Sequence, residues 1–548
     1  MKIALSQINT KPGDIRGNLS KVKLFYEKAR HLQADIAVFP EMTLPGYPPL
    51  DMVTNPAFVR ANLDALARAV SFVGETACVV GYAEPNPFSK GKPLFNSLAL
   101  IHNRKIIAKR RKSLLPTYDV FDELRYFEPY WQNLPVRFKG RKIGLTICED
   151  IWAGTEMLER RLLYKNNPIR EFKKHGLDLL INISSSPFYA GKHKTRIKIL
   201  AEMSKELRAP VIYCNQVGGN GELIFDGNSV CFDSKGRLTV KARSFAEDMV
   251  IADVSSPPAS MRSPKTPLIE EIHEALALGI KDYFTKQGFS EAVIGISGGI
   301  DSSVVFCLAC KALGSGNVSG VLMPSAYTLK QSVKDAFELC ERAGVKPLII
   351  PIHEIYGKYL DKLFKPVESR RIDLTMQNIQ ARIRGSILMA LANKNNRLVL
   401  ATGNKSEIAT GYCTLYGDTA GALAPIGDLV KTSVYELADF INKKNRLIPL
   451  SIIKRVPTAE LKPGQKDQDD LPPYRVLDKI IRLYVEEGKT LSQIIKTGLD
   501  KKLVFEVIKR MESNEYKRKQ LPPSLKVTKK AFGSGRRMPI VKSFEFYY

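Results

Sequence analysis

Ala292-Val-Ile-Gly-Ile-Ser-Gly-Gly-Ile-Asp-Ser-Ser-Val304 reads as a buried strand, a turn of Ser and Gly, and the opening of a helix. Gly298 and Gly299 let the backbone approach an anion closely, while Ser297, Ser302 and the free amides of the helix start can donate to phosphate. Asp301 places a carboxylate in the same spot. Beside a polyphosphate, that carboxylate is best explained by Mg2+. The Gly-x-x-x-x-Gly-Lys-[Ser/Thr] loop is missing from the sequence, so γ-phosphate transfer of the usual nucleoside triphosphatase type is not favoured. Outward from this string, Gly320-Val-Leu-Met323, Leu348-Ile-Ile-Pro351 and Leu398-Val-Leu-Ala-Thr402 alternate with helical segments at Ser302–Leu313 and Leu329–Ala343. Alternation of this kind predicts a doubly wound parallel sheet.

Upstream, residues 253–267 contain four Pro and four Ser. Pro cannot continue a helix interior, so this stretch predicts a linker over 256–267 between domains at 1–255 and 268–548. The first domain alternates short apolar runs (Ile36–Phe39, Cys78–Tyr82, Asn96–Ile101, Lys142–Ile147, Asp178–Ile183, Ala209–Tyr213) with polar helical stretches, which predicts a second α/β layer structure.

Three of its predicted strands run into a residue with chemical potential. Ala37-Val-Phe-Pro leads to Glu41, Ile106-Ile-Ala-Lys-Arg-Arg to Lys112, and Ile143-Gly-Leu-Thr-Ile to Cys148. Strand ends are rigid platforms, and a Glu, a Lys and a Cys suffice for acyl transfer. The thiol is the nucleophile, the carboxylate takes its proton, and the ammonium is expected to lower the thiol pKa from ~8.5 and to stabilise the oxyanion.

Composition is that of a globular chain: 548 residues, 44% hydrophobic and 25% charged. With no apolar stretch near the roughly 20 residues a bilayer needs and no signal-peptide core at the start, a soluble cytoplasmic protein is expected. Eight cysteines without regular spacing argue against a disulfide scaffold. Cys307 and Cys310 share a helix and read as core. The net charge of +27 is concentrated in residues 101–200 and 501–548, which together carry +20. Such an excess points to anionic partners, but no nucleic-acid-binding motif accompanies it.

Phe39-Pro-Glu-Met-Thr-Leu-Pro-Gly-Tyr47, Lys112-Ser-Leu-Leu-Pro116 and Thr146-Ile-Cys-Glu-Asp-Ile-Trp152 together resemble the nitrilase superfamily of amidases, in the same chain order. The resemblance implies catalytic roles for Glu41, Lys112 and Cys148 and a sandwich of two sheets flanked by helices. Pro116–Glu123 and Asn182–Phe188 look like the pocket segments of its glutamine-using branch. That likeness implies glutamine contacts from Tyr118, Ser186 and Lys192, and support of Lys112 by Glu123. Lys192 stands where relatives often have Arg. None of the six histidines falls in these motifs, so a Cys-His amidotransferase would lack its base.

Ser297-Gly-Gly-Ile-Asp-Ser302 resembles the pyrophosphate loop of the ATP pyrophosphatases, of the adenine nucleotide α-hydrolase type. Gln377–Gly385, Ala401–Glu407, Gly411–Asp418, Pro425–Lys431 and Pro457–Gln465 follow in the order seen in NAD synthetases. The resemblance implies ATP contacts from Gly295, Ile296, Ser297, Gly298, Gly299, Ile300, Asp301, Ser302, Thr402, Lys431 and Thr458, with Mg2+ on Asp301 and Glu407. It implies a deamido-NAD site formed by Asn378, Glu407, Tyr412, Thr414, Asp418 and Lys517, and a mobile loop over Lys462–Pro473. With the amidase in front, the whole is similar to glutamine-dependent NAD synthetases. The implied reaction is ATP-dependent amidation of deamido-NAD through an adenylate, using ammonia from glutamine along a protected route. A homo-oligomer built on a dimer is implied too, with ATP and Mg2+ arriving with the substrate and no tightly bound organic cofactor. Another glutamine amidotransferase on the same scaffold, or an RNA-modifying relative, is the alternative reading.

Overall fold

The computed structural model describes residues 1–153, 156–158, 161–162, 164–261, 266–364 and 372–543. Its contacts divide the chain into two compact units, Met1–Thr266 and Pro267–Tyr548. Residues 262–265 of the expected linker lie outside the described residues.

The first unit contains two six-stranded sheets. One runs in the order Asp248–Asp253, Lys2–Gln7, Ile36–Val38, Ala77–Pro85, Leu94–His102, Lys105–Arg111. The other runs Leu238–Lys241, Val230–Phe232, Val211–Asn215, Leu179–Ser184, Arg141–Ile147, Val136–Phe138. Alternation within each strand decides the layers. Ile3, Leu5, Ile36 and Val38 of the first sheet join Ile143, Leu145, Ile181 and Ile183 of the second in one core between the sheets. Ala4, Ala37, Cys78 and Val80 face the other way, against Val22, Phe25 and Ala29 of the helix Ile15–His31 and Leu66 and Ala69 of the helix Pro56–Phe72. On the far side, Leu200, Met203 and Leu207 of the helix Lys192–Leu207 pack on Leu180, Val211 and Tyr213. The result is the expected α-β-β-α sandwich.

Two features depart from the strand reading. The strand Lys2–Gln7 is an interior strand of its sheet, paired parallel to Ile36–Val38 and antiparallel to the edge strand Asp248–Asp253, although neither terminal segment was marked as a strand. The strand leading to Lys112 is an edge strand, with Ile106 and Ile107 exposed rather than buried.

In the second unit, the described residues form a parallel sheet in the order Leu348–Ile349, Val318–Leu322, Ala292–Gly295, Leu398–Val399. The chain order therefore reverses between the last two. In a doubly wound sheet the crevice at that switch point, beyond the carboxyl ends of the strands, is where ligands bind. The phosphate loop follows Gly295, and Thr402 follows Val399, so both expected nucleotide segments open into it. Cys307 and Cys310 lie on the helix Ile300–Leu313, and burial raises both thiols, that of Cys310 to about 11.

Candidate active sites

Glu41, Lys112 and Cys148, more than a hundred residues apart at the extremes, converge in the first unit. Lys112 Nζ is 2.7 Å from Glu41 Oε1 and 2.8 Å from each oxygen of Glu123. Asn96 Nδ2 also donates to Glu41 Oε1, at 2.8 Å, and the Ser185 backbone N–H donates to Glu41 Oε2 at 2.9 Å. The carboxylate is thus pinned in one orientation from one strand and the segments that follow two others. Burial alone would discharge Lys112, but Glu123 and Glu41 outweigh it and hold the ammonium well above its ordinary pKa. Burial pushes Glu123 up to about 7 against the pull of Lys112.

Cys148 begins the tight turn that follows the strand Arg141–Ile147, at φ +39°. A non-glycine residue there costs ~1–3 kcal/mol, and such strain gathers at functional sites. Asp150 holds the corner: Oδ2 accepts the Ile147 N–H at 3.0 Å, and Oδ1 accepts the N–H groups of Ser113 and Leu114 at 3.0 and 2.9 Å. One side chain therefore ties the cysteine corner to the segment carrying Lys112. The ammonium does pull the thiol pKa down, as expected, but it does not set the net shift. Burial first, then the Glu41 charge, raise Cys148 well above its ordinary value, and Lys112 only partly opposes them.

Around this triad, Tyr118 donates to Glu149 Oε1 at 3.0 Å and Tyr164 donates to the same oxygen at 2.8 Å. Glu149 is buried beside Cys148 in the chain, and its carboxyl is raised by that burial. It escaped the sequence reading. A Glu directly after a strand-end Cys was visible there, but nothing local said that Tyr118 and Tyr164 would both reach it. Lys192 Nζ bonds the Pro187 carbonyl at 2.7 Å and lies 5.8 Å from the Trp152 ring and 5.5 Å from the Tyr189 ring. Ser186 is buried directly after Ser185, which holds Glu41.

In the second unit, one cavity of about 560 Å³ collects every residue expected to touch nucleotide: the loop 295–302, Thr402, Lys431, Thr458, and Asn378, Glu407, Tyr412, Thr414, Asp418 and Lys517. Gly298 has φ +80°, and a Cβ there would meet the Ser332 carbonyl at 2.3 Å, so only glycine fits. Ser297 Oγ accepts the Gly299 N–H at 3.1 Å, shaping the loop around its own hydroxyl. Thr414 Oγ1 donates to Asn378 Oδ1 at 2.9 Å, and its N–H donates to Asp418 Oδ1 at 2.7 Å. Lys517 is half-buried, with Nζ on the Gly411 and Cys413 carbonyls at 2.8 and 2.9 Å. From Lys462–Pro473, Gln465, Asp467 and Asp470 line the same cavity.

Asp301 and Glu407 meet through Asn404. Its Nδ2 donates to Asp301 Oδ1 at 2.9 Å and its backbone N–H to Glu407 Oε2 at 3.2 Å, while its Oδ1 caps the helix Lys405–Thr410. Burial and the Asp301 charge push Glu407 up to about 8. Asn404 was also missed, though Asn-x-x-Glu before a helix is a legible capping pattern. Two carboxylates converging on one cation, here the Lys431 ammonium, form a donor set that would suit a hard divalent cation such as Mg2+.

An amidase-type triad in a two-sheet sandwich and a pyrophosphate-type loop at a switch point define a class of bifunctional nitrogen-transferring enzymes. The carbon-nitrogen hydrolase family model matches residues 2–260 and the NAD synthase model residues 272–521. A Synechocystis protein named glutamine-dependent NAD(+) synthetase is 42% identical over 551 residues, covering 99% of each chain. A Thermotoga maritima protein of the same name is 40% identical over 586 residues, covering 100% of this chain and 99% of that one. The solved glutamine-dependent NAD+ synthetase of Acinetobacter baumannii, in complex with ADP, superposes with a TM-score of 0.78 at 35% identity, covering 100% of this chain and 99% of that one. The chain belongs to the glutamine-dependent NAD(+) synthetase family. Among the described residues no helix is long and apolar enough to cross a membrane.

Proposed function

We propose that the protein makes NAD from deamido-NAD, consuming ATP and drawing nitrogen from glutamine. The observation that carries this is the presence of two complete sites in one chain, a buried Glu-Lys-Cys set and a phosphate loop facing a carboxylate pair.

In the first unit, Cys148 Sγ attacks the side-chain amide carbon of glutamine as Glu41 takes the thiol proton. Because the resting thiol is held protonated, this transfer accompanies attack rather than preceding it. Lys112, kept charged by its two carboxylates, stabilises the oxyanion. Glu41 returns the proton to the departing nitrogen, ammonia leaves, and a thioester remains. Water, deprotonated by Glu41, attacks the thioester and releases glutamate with the thiol restored. Tyr118, Ser186 and Lys192 bind the amino acid, Lys192 supplying a cation for the α-carboxylate and Glu149 an anion for the α-ammonium.

In the second unit, the deamido-NAD carboxylate attacks the α-phosphorus of ATP, pyrophosphate leaves, and an adenylate forms. Ammonia then attacks the acyl carbon, AMP departs, and an amide results. Residues 295–302, Thr402, Lys431 and Thr458 hold ATP; Asn378, Tyr412, Thr414, Asp418 and Lys517 hold the dinucleotide. Asp301 and Glu407 would hold Mg2+, which when bound supplies charge neutralisation to the phosphates. The working assembly is a cytoplasmic homo-oligomer, which light scattering would test.

The deciding experiment is NAD formation from deamido-NAD, ATP and Mg2+ with either glutamine or ammonium. Cys148→Ala should abolish the glutamine-supported reaction and retain the ammonium-supported one. Loss of both would count against separate sites.

A further inference from the structure

Asp301 and Glu407 each have one oxygen held by Asn404. Their other oxygens face a single ammonium: Lys431 Nζ is 2.5 Å from Asp301 Oδ2 and 3.6 Å from Glu407 Oε1. Lys431 is buried, and its Nζ lies 5.3 Å from the Tyr474 ring centre. Asp467, bonded to the Tyr474 hydroxyl at 2.8 Å, is the third carboxylate facing this group. A divalent cation held by both carboxylates needs the oxygens that Lys431 now occupies.

The root of the lysine is anchored to the fold, while its tip lies in the cavity against the two carboxylates. Lys431 starts the helix Lys431–Asn445, and its backbone N–H donates to Ser406 Oγ at 2.9 Å. The four-carbon stem carries a compact charge with rotatable donors, and it lies in the same cavity as the phosphate loop.

We propose that Lys431 is an exchangeable counter-ion, holding the Asp301–Glu407 pair when no nucleotide is bound and moving onto the nucleotide phosphates when the divalent cation takes its place. This rests on the reading of the cavity as a Mg·ATP site. The physical consequence is conditional metal binding. Without nucleotide, a metal ion must take both paired carboxylates from a buried ammonium and leave it facing Asp467 alone, which is unfavourable. With nucleotide, the polyphosphate supplies the replacement anion. Metal and ATP therefore bind together, and neither carboxylate is left bare in the absence of ligand.

The test is Mn2+ binding to the full chain, followed by electron paramagnetic resonance and by thermal unfolding, with Mn2+ alone and with Mn2+ plus α,β-methylene-ATP. The wild type should bind Mn2+ at least ~10-fold more tightly with the analogue than without it, a coupling of about 1.4 kcal/mol or more. Lys431→Met should bind Mn2+ alone at least ~10-fold more tightly than wild type and show a larger Mn2+-dependent rise in Tm. Lys431→Arg, which keeps the charge, should stay near wild type in the absence of nucleotide. Lys431→Met binding Mn2+ alone no better than wild type would overturn the inference, as would equal tightening by Lys431→Arg. Mn2+ binding with the analogue that Asp301→Asn leaves unchanged would place the metal elsewhere. That outcome would fail the Mg·ATP reading itself, and the inference with it.

Discussion

Lys112 Nζ lies 2.7 Å from Glu41 Oε1 with neither side chain exposed to solvent, so the proposed base and the proposed oxyanion cation are one buried ion pair. Glu123 shares the same ammonium. Removing the cation leaves two buried carboxylates facing each other. Lys112→Met should abolish glutamine hydrolysis and lower the stability of the first unit by ~3–5 kcal/mol. Denaturant unfolding reads this out, and unchanged stability would show that the pair is not built this way.

The raised thiol of Cys148 separates this site from thiolate-based ones. Alkylation by iodoacetamide in the absence of glutamine should be slow at neutral pH. Its rate should still climb above the ordinary thiol pKa of ~8.5 without levelling off. A plateau near neutrality would mean a preformed thiolate.

Glu149 is held by two phenols on one oxygen. A charged contact to the α-ammonium of glutamine is worth ~1.5–3 kcal/mol, so Glu149→Gln should raise KM for glutamine by ~10–100-fold with a smaller change in kcat. The ammonium-supported reaction serves as the control, and an effect confined to kcat would contradict the binding role.

Two glycines of the phosphate loop region should respond differently to Ala. At Gly298 the new Cβ meets backbone at 2.3 Å with φ +80°, whereas at Gly295 it meets the flexible ends of Leu388 and Met323 at 3.2 Å. Gly298→Ala should cut ammonium-supported synthesis by ~10–100-fold, on the ~1–3 kcal/mol scale of backbone strain, and Gly295→Ala by much less. Steady-state rates at saturating ammonium distinguish the two.

His193, on the helix Lys192–Leu207, is pushed down to about 4 by burial and by the neighbouring Arg196. The unfolded chain, with an ordinary value of ~6.5, binds the proton more readily. This contribution to stability is therefore complete above ~6.5 and is lost as pH falls toward the folded value, amounting to ~2 kcal/mol given partial solvent contact. The Tm of the first unit should decline over that window. His193→Gln should flatten the decline, and an unchanged slope would assign it elsewhere.

Much of the chemistry was legible because it lies in short strings. Ser297–Ser302 follows a strand and opens a helix, and that local geometry is enough to imply an anion cradle. Cys148 and Lys112 could be marked because both end strands. The strand Lys2–Gln7 was not, since a six-residue run gains its identity only by pairing with Asp248–Asp253 at the other end of the unit. Glu149 was unreadable as a site residue for a related reason: nothing in its neighbourhood states which way the side chain will face once the turn around it closes. Asn404 was legible as a helix cap but not as the bridge between Asp301 and Glu407.

By itself, then, the sequence determined the class of fold and marked the short strings proposed as reactive, because backbone turns and strand ends are set by near neighbours. The tertiary structure decided how those groups are charged and what each one touches. Lys431 meets Asp301 across 130 positions, and Lys112 meets Glu41 across 71. Burial raises the Cys148 thiol where the bare trio of residues suggested a lowered one. Desolvation and long-range pairing depend on packing from the whole unit, and no local string encodes them.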